Sequence, residues 1–301
     1  MKSTCFPTFI LILAAALYSC GPTPAKENIS INPQLIQDST KIAFSIENGL
    51  QGPEAVRFDP KHDVYFISNF NGGGNTLDAN GFITKADSNG RIIELKFIQE
   101  DGEYPLHAPR GMFITETELW VADVIGVHSF DLKSGKQNSF VSFKDFEVGF
   151  LNDVSADEQG NIYITDTGTS RVYIIQNGAP SVYLDALPIA PNGISRDINQ
   201  NRFVLAPWGG DSLFYSFGPE KNLQEYASMD GGYFDGIEFM DDYMLTSSQQ
   251  DSSIRIYDGK DNHILIHTPG RGADIGIDTA RRRIAVPYIA LNRVDIWELS
   301  N

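Results

Sequence analysis

The sequence predicts an all-β chain, a six-bladed β-propeller of four-stranded antiparallel blades whose last blade is closed by the N-terminal strand. Three observations predict it. One short phrase recurs six times, as Pro53-Glu54-Ala55-Val56, Pro109-Arg110-Gly111-Met112, Leu151-Asn152-Asp153-Val154, Pro191-Asn192-Gly193-Ile194, Phe234-Asp235-Gly236-Ile237 and Ala273-Asp274-Ile275-Gly276. After a longer first interval the copies return at roughly forty residues, the period of a propeller blade. Between copies lie short alternating or apolar runs broken by Asp-Gly, Asn-Gly, Ser-Gly and Asp-Pro turns, and no window sustains a helical period for long.

In chain order, residues 1–19 read as a secretory signal: Lys2, an apolar run over 6–17, then Ser19 before Cys20. The run is too short to span a bilayer comfortably. Leu17-Tyr18-Ser19-Cys20 resembles a bacterial lipobox, which would make Cys20 the lipidated mature N-terminus; a plain cleavage site near Ser19 is the alternative. Residues 20–39, polar and containing Pro22, Pro24 and Pro33, suit a tether. Residues 40–301 form the propeller.

Blade three is the clearest copy, with strands expected over 153–156, 161–165, 171–175 and 181–184. Blade one gives 55–58, 64–68, 81–85 and 92–97. Blade two gives 111–114, 118–122, 126–131 and 137–143. Blade four gives 193–197, 202–206, 212–217 and 223–227, and blade five 236–240, 243–247, 253–258 and 263–267. Blade six supplies only 274–277, 283–286 and 293–299, and the strand over 41–46 has no other home. Pairing the two completes the ring and leaves no open junction.

In an up-and-down blade the start of the first strand lies beside the end of the second. Glu54, Arg110, Asn152, Asn192, Asp235 and Asp274 therefore share one face, and Asn69, Asp123, Asp166, Trp208, Ser248 and Tyr288 should surround them. The one long insertion, residues 71–80 with Gly72-Gly73-Gly74, falls on the same face, as a lid or a mobile connection.

The formal net charge of -16 argues against nucleic acid or an anionic membrane face as partner. Cys5 and Cys20 are the two cysteines, so no disulfide framework or cysteine metal cluster lies downstream. A monomer is expected, held at a bacterial cell envelope by an acyl chain on Cys20; with no acidic run after Cys20, a periplasm-facing anchor is expected.

Glu54, Asn152, Asn192 and Asp235 offer two carboxylates and two amide oxygens. Hard oxygen donors suit one divalent cation, Ca²⁺ first, with Mg²⁺, Mn²⁺ or Zn²⁺ as alternatives. Without a cation the two carboxylates should repel and one should hold its proton to higher pH. The alternative is that Asn-Gly and Asp-Gly are ordinary turn formers in a wet channel. No Gly-x-Ser-x-Gly elbow, His-Glu-x-x-His or Walker loop occurs. Asp78-Ala79-Asn80-Gly81 reads as a turn rather than a second calcium loop.

Glu54 with Phe58-Asp59, Asn152-Asp153, Pro191-Asn192-Gly193 and Asp235-Gly236 resemble the four metal-site motifs of the regucalcin–gluconolactonase (senescence marker protein) family. Blade three is also similar to an NHL-type repeat. The family resemblance implies a six-bladed propeller with one divalent cation in the channel and hydrolysis of sugar lactones. It implies that Glu54, Asn192 and Asp235 ligate the metal, that Asn152 contacts metal or substrate, and that Asp235 doubles as general base. Two departures stand out. Phe150 occupies the position where the family's lactonases place a substrate-binding arginine, and Arg110 and Asp274 replace small neutral residues.

Arg110 and Asp274 are therefore expected to bind substrate, with Asp166 and with Trp208 as a stacking platform. The alternative for Arg110 is an ion pair with Asp274 or Glu54 that seals the channel. His107 reads as a surface-loop residue or an acid–base group at the mouth. Two functions follow: a metal-dependent hydrolase of a lactone or small ester, or a non-catalytic envelope propeller that binds a sugar, peptide or protein partner.

Overall fold

The computed structural model describes Met1, residues 40–99 and residues 103–299. The signal, the lipid anchor at Cys20 and the tether fall outside the described residues. The remainder forms six four-stranded antiparallel sheets. Blade one comprises Pro53–Asp59, Val64–Asn69, Phe82–Asp87 and Ile92–Ile98. Blade two comprises Met112–Ile114, Glu118–Ala122, Gly126–Asp131 and Gln137–Ser142. Blade three runs through Leu151–Ala156, Ile162–Asp166, Arg171–Gln176 and Ala179–Leu184.

Blade four comprises Ala190–Asp197, Arg202–Trp208, Leu213–Phe217 and Gln224–Ser228. Blade five comprises Phe234–Met240, Tyr243–Ser248, Ser253–Tyr257 and Asn262–His267. Blade six contains Gly276–Asp278, Arg283–Tyr288 and Arg293–Glu298, and Lys41–Ile46 pairs antiparallel with the last of these. The N-terminal strand thus closes the ring as the unfilled fourth place required.

Burial falls from axis to rim. The first strand of blade three is buried throughout, whereas its fourth, Ala179–Leu184, is half exposed. Inner strands are buried along most of their length, polar residues included, and outer strands are largely half-buried or exposed. The core lies between blades: Val154, Ala156, Ile162, Ile164 and Tyr173 of blade three pack on Val127, Val141 and Phe143 of blade two. Each such buried side chain contributes on the order of 1.5–3 kcal/mol, so blade-to-blade contact is the main stabiliser.

The first strand of blade six begins two residues later than its apolar pattern suggests, at Gly276 rather than Asp274. Its entrance turns toward blade one instead: Asp274 N donates to Glu54 O at 2.9 Å and Val56 N donates to Asp274 O at 3.2 Å. Gly111 N makes the matching bond to Asn152 O at 3.1 Å, tying blade two to blade three. Among the described residues no helix is long and apolar enough to cross a membrane.

Candidate metal and ligand site

The repeated phrase is a β-bulge. In blades one, three, four and five, the register shifts between the first phrase residue and the fourth, at Pro53/Val56, Leu151/Val154, Pro191/Ile194 and Phe234/Ile237. The extra residue frees a backbone N–H, and a hydroxyl on the second strand takes it in three blades. Ala55 N donates to Ser68 Oγ at 2.9 Å, Asp153 N to Thr165 Oγ1 at 2.9 Å, and Gly236 N to Ser247 Oγ at 3.0 Å. The bulges re-aim the preceding side chain, as bulges near functional sites do.

The glycines after Asn192 and Asp235 are not turn formers, since neither Gly193 nor Gly236 has positive φ. A Cβ on Gly193 would lie 2.2 Å from Asp235 O, and one on Gly236 would lie 2.2 Å from Ile275 N. The neighbouring blade's inner strand passes too close for any side chain. Close approach of blades, not turn chemistry, selects glycine here.

Glu54, Asn152, Asn192 and Asp235 converge at this end of the channel, each at most 5% exposed. Asn152 Nδ2 donates to Thr167 Oγ1 at 2.9 Å, and Asn192 donates to Asp235. Both amides thus have their NH₂ engaged and their carbonyl oxygens left over. Gln249 Nε2 donates to Asp235 Oδ2 at 2.6 Å and fixes that carboxylate. Glu54 Oε2 and Asn192 Oδ1 are buried without any hydrogen-bond partner.

These carboxyls resist ionisation. Burial pushes Glu54 well up, with Asp235, Asp274 and Asp153 adding to it and Arg110 opposing. Burial and the Asp274 charge push Asp235 to about 8, against hydrogen bonds from Gln249 and Asn192. Both effects follow from anionic groups crowded away from water.

Asp274 does not join these four. It sits one layer deeper, where Arg57 Nη2 lies 2.8 Å from its Oδ2 and 3.2 Å from Asp153 Oδ1. Arg57 Nε also approaches Glu238 at 3.5 Å, and Nη1 donates to the carbonyls of Val56 and Ile275, both at 2.9 Å. Burial works against the Arg57 charge, but Asp274, Glu238 and Asp153 outweigh it and hold its proton more firmly than usual. Arg57 and Glu238 stand three residues after Glu54 and Asp235. The bulge absorbs one residue, so the third position rather than the second returns to the channel. Applying that offset to the first strands of blades one to five finds Arg57, Phe113, Ser155, Ser195 and Glu238, all of which line a cavity of about 830 Å³ on the opposite face.

Arg110 pairs with neither Glu54 nor Asp274. Its guanidinium stacks on Phe150 with a centroid distance of 3.7 Å and donates to Leu151 O at 2.6 Å. It also donates to Gly74 O and, at 2.7 Å, to Asn75 Oδ1, both in the insertion that reaches over from blade one. The guanidinium of blade two thus lies across the phenylalanine that enters blade three. His107 Nδ1 accepts from Ala79 N at 3.0 Å and staples the same insertion.

Asp166 ends the second strand of blade three. It accepts from the backbone N–H of Gly149, Phe150, Gly168 and Thr169 and from Thr169 Oγ1, so it is spent on the loop entering its own blade. Asn69 and Asp123 do likewise, accepting from Gln51 N and from His107 N and Ala108 N. Trp208 is half-buried at the rim, edge-on to Tyr233 with ring centroids 5.3 Å apart.

The donor set fits a hard divalent cation: two carboxylates and two carbonyl oxygens, two of these atoms orphaned. Among the described residues, the buried carboxyls of Glu54, Asp153, Asp235, Glu238 and Asp274 lie in and around the channel with Arg57 and Arg110.

No protein-family model and no curated protein matches this chain. Solved structures share its fold. A gluconolactonase of Xanthomonas campestris superposes with TM-score 0.67 at 14% identity, over 88% of this chain and 91% of its own. A streptogramin B lyase superposes with TM-score 0.63 at 12% identity, over 88% of this chain and 99% of its own. The likeness is one of architecture, and the six-bladed propeller agrees with the fold that the four motifs imply.

Proposed function

We propose that the chain is a hydrolase of a lactone or small ester, with one divalent cation held by Glu54, Asn152, Asn192 and Asp235. The observation that carries this reading is the pair of buried oxygens without partners, Glu54 Oε2 and Asn192 Oδ1, in a cage whose amides both present oxygen. Leaving such atoms unsatisfied costs about 1–3 kcal/mol each, which a cation would recover. Ca²⁺ is the first choice for an all-oxygen set, with Mg²⁺, Mn²⁺ and Zn²⁺ as alternatives. The gluconolactonase among the fold relatives supports the reaction class by analogy.

A bound divalent cation supplies Lewis acidity toward an ester carbonyl and toward water. Asp235 is the base. Gln249 and Asn192 donate to its carboxylate and hold it in place as the acceptor of the attacking water's proton. The anchor at Cys20 and an envelope location, facing the periplasm, belong to the same proposal.

The second reading is a non-catalytic propeller that binds a sugar, peptide or protein partner, favoured by Phe150 at the position of the family's substrate-binding arginine. Metal analysis of purified protein, with a lactone and aryl-ester screen run with and without chelator, separates the two. Bound metal with chelator-sensitive hydrolysis is expected. Bound metal with no hydrolysis of any ester selects the binding reading, and absence of metal with no Ca²⁺-induced thermal shift removes the cage.

A further inference from the structure

Arg110 is the largest fully buried side chain among the described residues, and every acceptor it touches is a neutral oxygen. A buried guanidinium is normally matched by a carboxylate or phosphate, because an unpaired charge away from water costs several kcal/mol. Here Leu151 O holds Nη1, while Nη2 is taken by Gly74 O and Asn75 Oδ1. Nε is buried with no hydrogen-bond partner at all. Nε and Nη2 form one edge of the guanidinium, the edge that grips a carboxylate through two parallel hydrogen bonds. That edge is half empty and half occupied by a loop.

The loop is built to let go. Its ends are pinned, by Asn71 N to Gln51 O at 2.9 Å and by Ala79 N to His107 Nδ1 at 3.0 Å. Between them Gly72, Gly73, Asn75 and Thr76 are exposed and Leu77 is 60% exposed, so little apolar burial holds the tip. Even a Cβ added at Gly74 would come no nearer than 3.4 Å to Phe70 and 3.7 Å to Phe150, so the tip is not wedged against either ring. The subsite adjoins the cation cage, since the Leu151 carbonyl that holds Arg110 directly precedes Asn152.

We propose that Arg110, backed by Phe150, is an anion-binding subsite for a carboxylate group of the ligand, and that residues 73–76 are a latch occupying it until that carboxylate arrives. A carboxylate on the Nε–Nη2 edge replaces two neutral acceptors on Nη2 with a counter-charge, fills the empty Nε, and leaves the Leu151 bond intact. Only the word substrate for this ligand rests on the hydrolase reading; the subsite itself does not.

Hydrogen exchange of the backbone amides over 71–80 tests this, in chelated protein so that carboxylate binding to a cation is not read. Glucuronate and glucose serve as probes, alike in ring and hydroxyls but differing in charge. Glucuronate is expected to speed exchange over 73–76 several-fold and glucose to leave it unchanged. In Arg110→Gln the latch amides should exchange fast without ligand and ignore both sugars. Asn75→Ala, on the exposed tip, should fold normally and bind glucuronate about 2–5-fold more tightly, because one competing acceptor is gone. Equal responses to the two sugars, or unchanged glucuronate affinity in Asn75→Ala, would overturn the proposal. Neither readout needs turnover, so a chain that hydrolyses nothing can still show the latch, and an active lactonase can lack it.

Discussion

Nη2 of Arg57 lies 2.8 Å from Oδ2 of Asp274, deep in the channel, and this contact divides the axis into two compartments. Above it are the four cage residues; below it is the opposite-face cavity. Asp274 therefore faces a buried cation of the protein itself, Arg57.

Replacing Arg57 by Met strands Asp153, Asp274 and Glu238 without their counter-charge. Breaking a buried ion pair from one side costs about 3–5 kcal/mol. Urea denaturation of the variant in chelator should show a loss of that size. A loss below about 1 kcal/mol would mean that these carboxyls are already protonated neighbours needing no cation.

Glu54→Gln separates the cage from the fold. Removing a carboxyl that burial and the neighbouring Asp235 and Asp274 hold up relieves an unfavourable charge, so the metal-free protein should melt at the same temperature or higher. Its Ca²⁺ affinity should fall at least tenfold, about 1.4 kcal/mol, by calorimetric titration. Asp235→Ala should lose both the affinity and all chelator-sensitive hydrolysis. Wild-type turnover in Asp235→Ala would exclude that residue as the base.

The ring and its closure were legible because blade chemistry repeats: one polar residue at each entrance, apolar inner strands, and a spare strand at 41–46. That Glu54, Asn152, Asn192 and Asp235 lie buried at the entrances of their blades was legible for the same reason. The deeper layer was not. Alternation alone places the residue two after Glu54 on the channel side, whereas the bulge makes it the third, Arg57. A bulge shows only in pairing, although Ser68, Thr165 and Ser247 on the partner strands are its trace in the sequence. For Asp166, position fixes the end of a strand but not whether a carboxylate there faces a ligand or its own loop's N–H groups.

That distinction is testable. Asp166→Asn keeps the volume but loses the charge that accepts four backbone N–H bonds and the Thr169 hydroxyl. A cost of about 1–3 kcal/mol in thermal or denaturant stability is expected, with Ca²⁺ affinity unchanged within about twofold. An unaltered stability with a raised KM for any substrate would return Asp166 to the ligand site.

The glycine after Asn192 offers a second structural test. A Cβ at Gly193 would sit 2.2 Å from the Asp235 carbonyl, inside any permissible contact, with Ile237 Cγ2 at 2.9 Å behind it. Gly193→Ala must push blade five away from blade four and should cost about 3 kcal/mol, at the upper end of overpacking. A comparable substitution at Gly210, where a Cβ meets nothing within 4 Å, should cost under about 0.5 kcal/mol. Equal stabilities for the two variants would show that the blades can slide apart freely.

The pH dependence of the metal-free protein follows from the same crowding. Asp235 is held up at about 8, whereas an unfolded aspartate titrates near about 3.9. The native state therefore binds this proton more tightly, and the stability it lends is present below about 4 and lost as pH rises through about 8. Glu54 is raised in the same sense, and Glu238, pushed to about 7 by burial, adds to it. Carboxylates held low, such as Asp123 and Asp131, work the other way, but their contribution is complete by about pH 5. Between pH 5 and 8 the raised group dominates, so the melting temperature in chelator should fall. Ca²⁺ competes with the protons on Glu54 and Asp235, so its stabilising increment should grow across that interval. Thermal scans in chelator and in saturating Ca²⁺ at pH 5 and at pH 8 measure both trends. An increment of equal size at the two values would mean that the cation binds without displacing those protons.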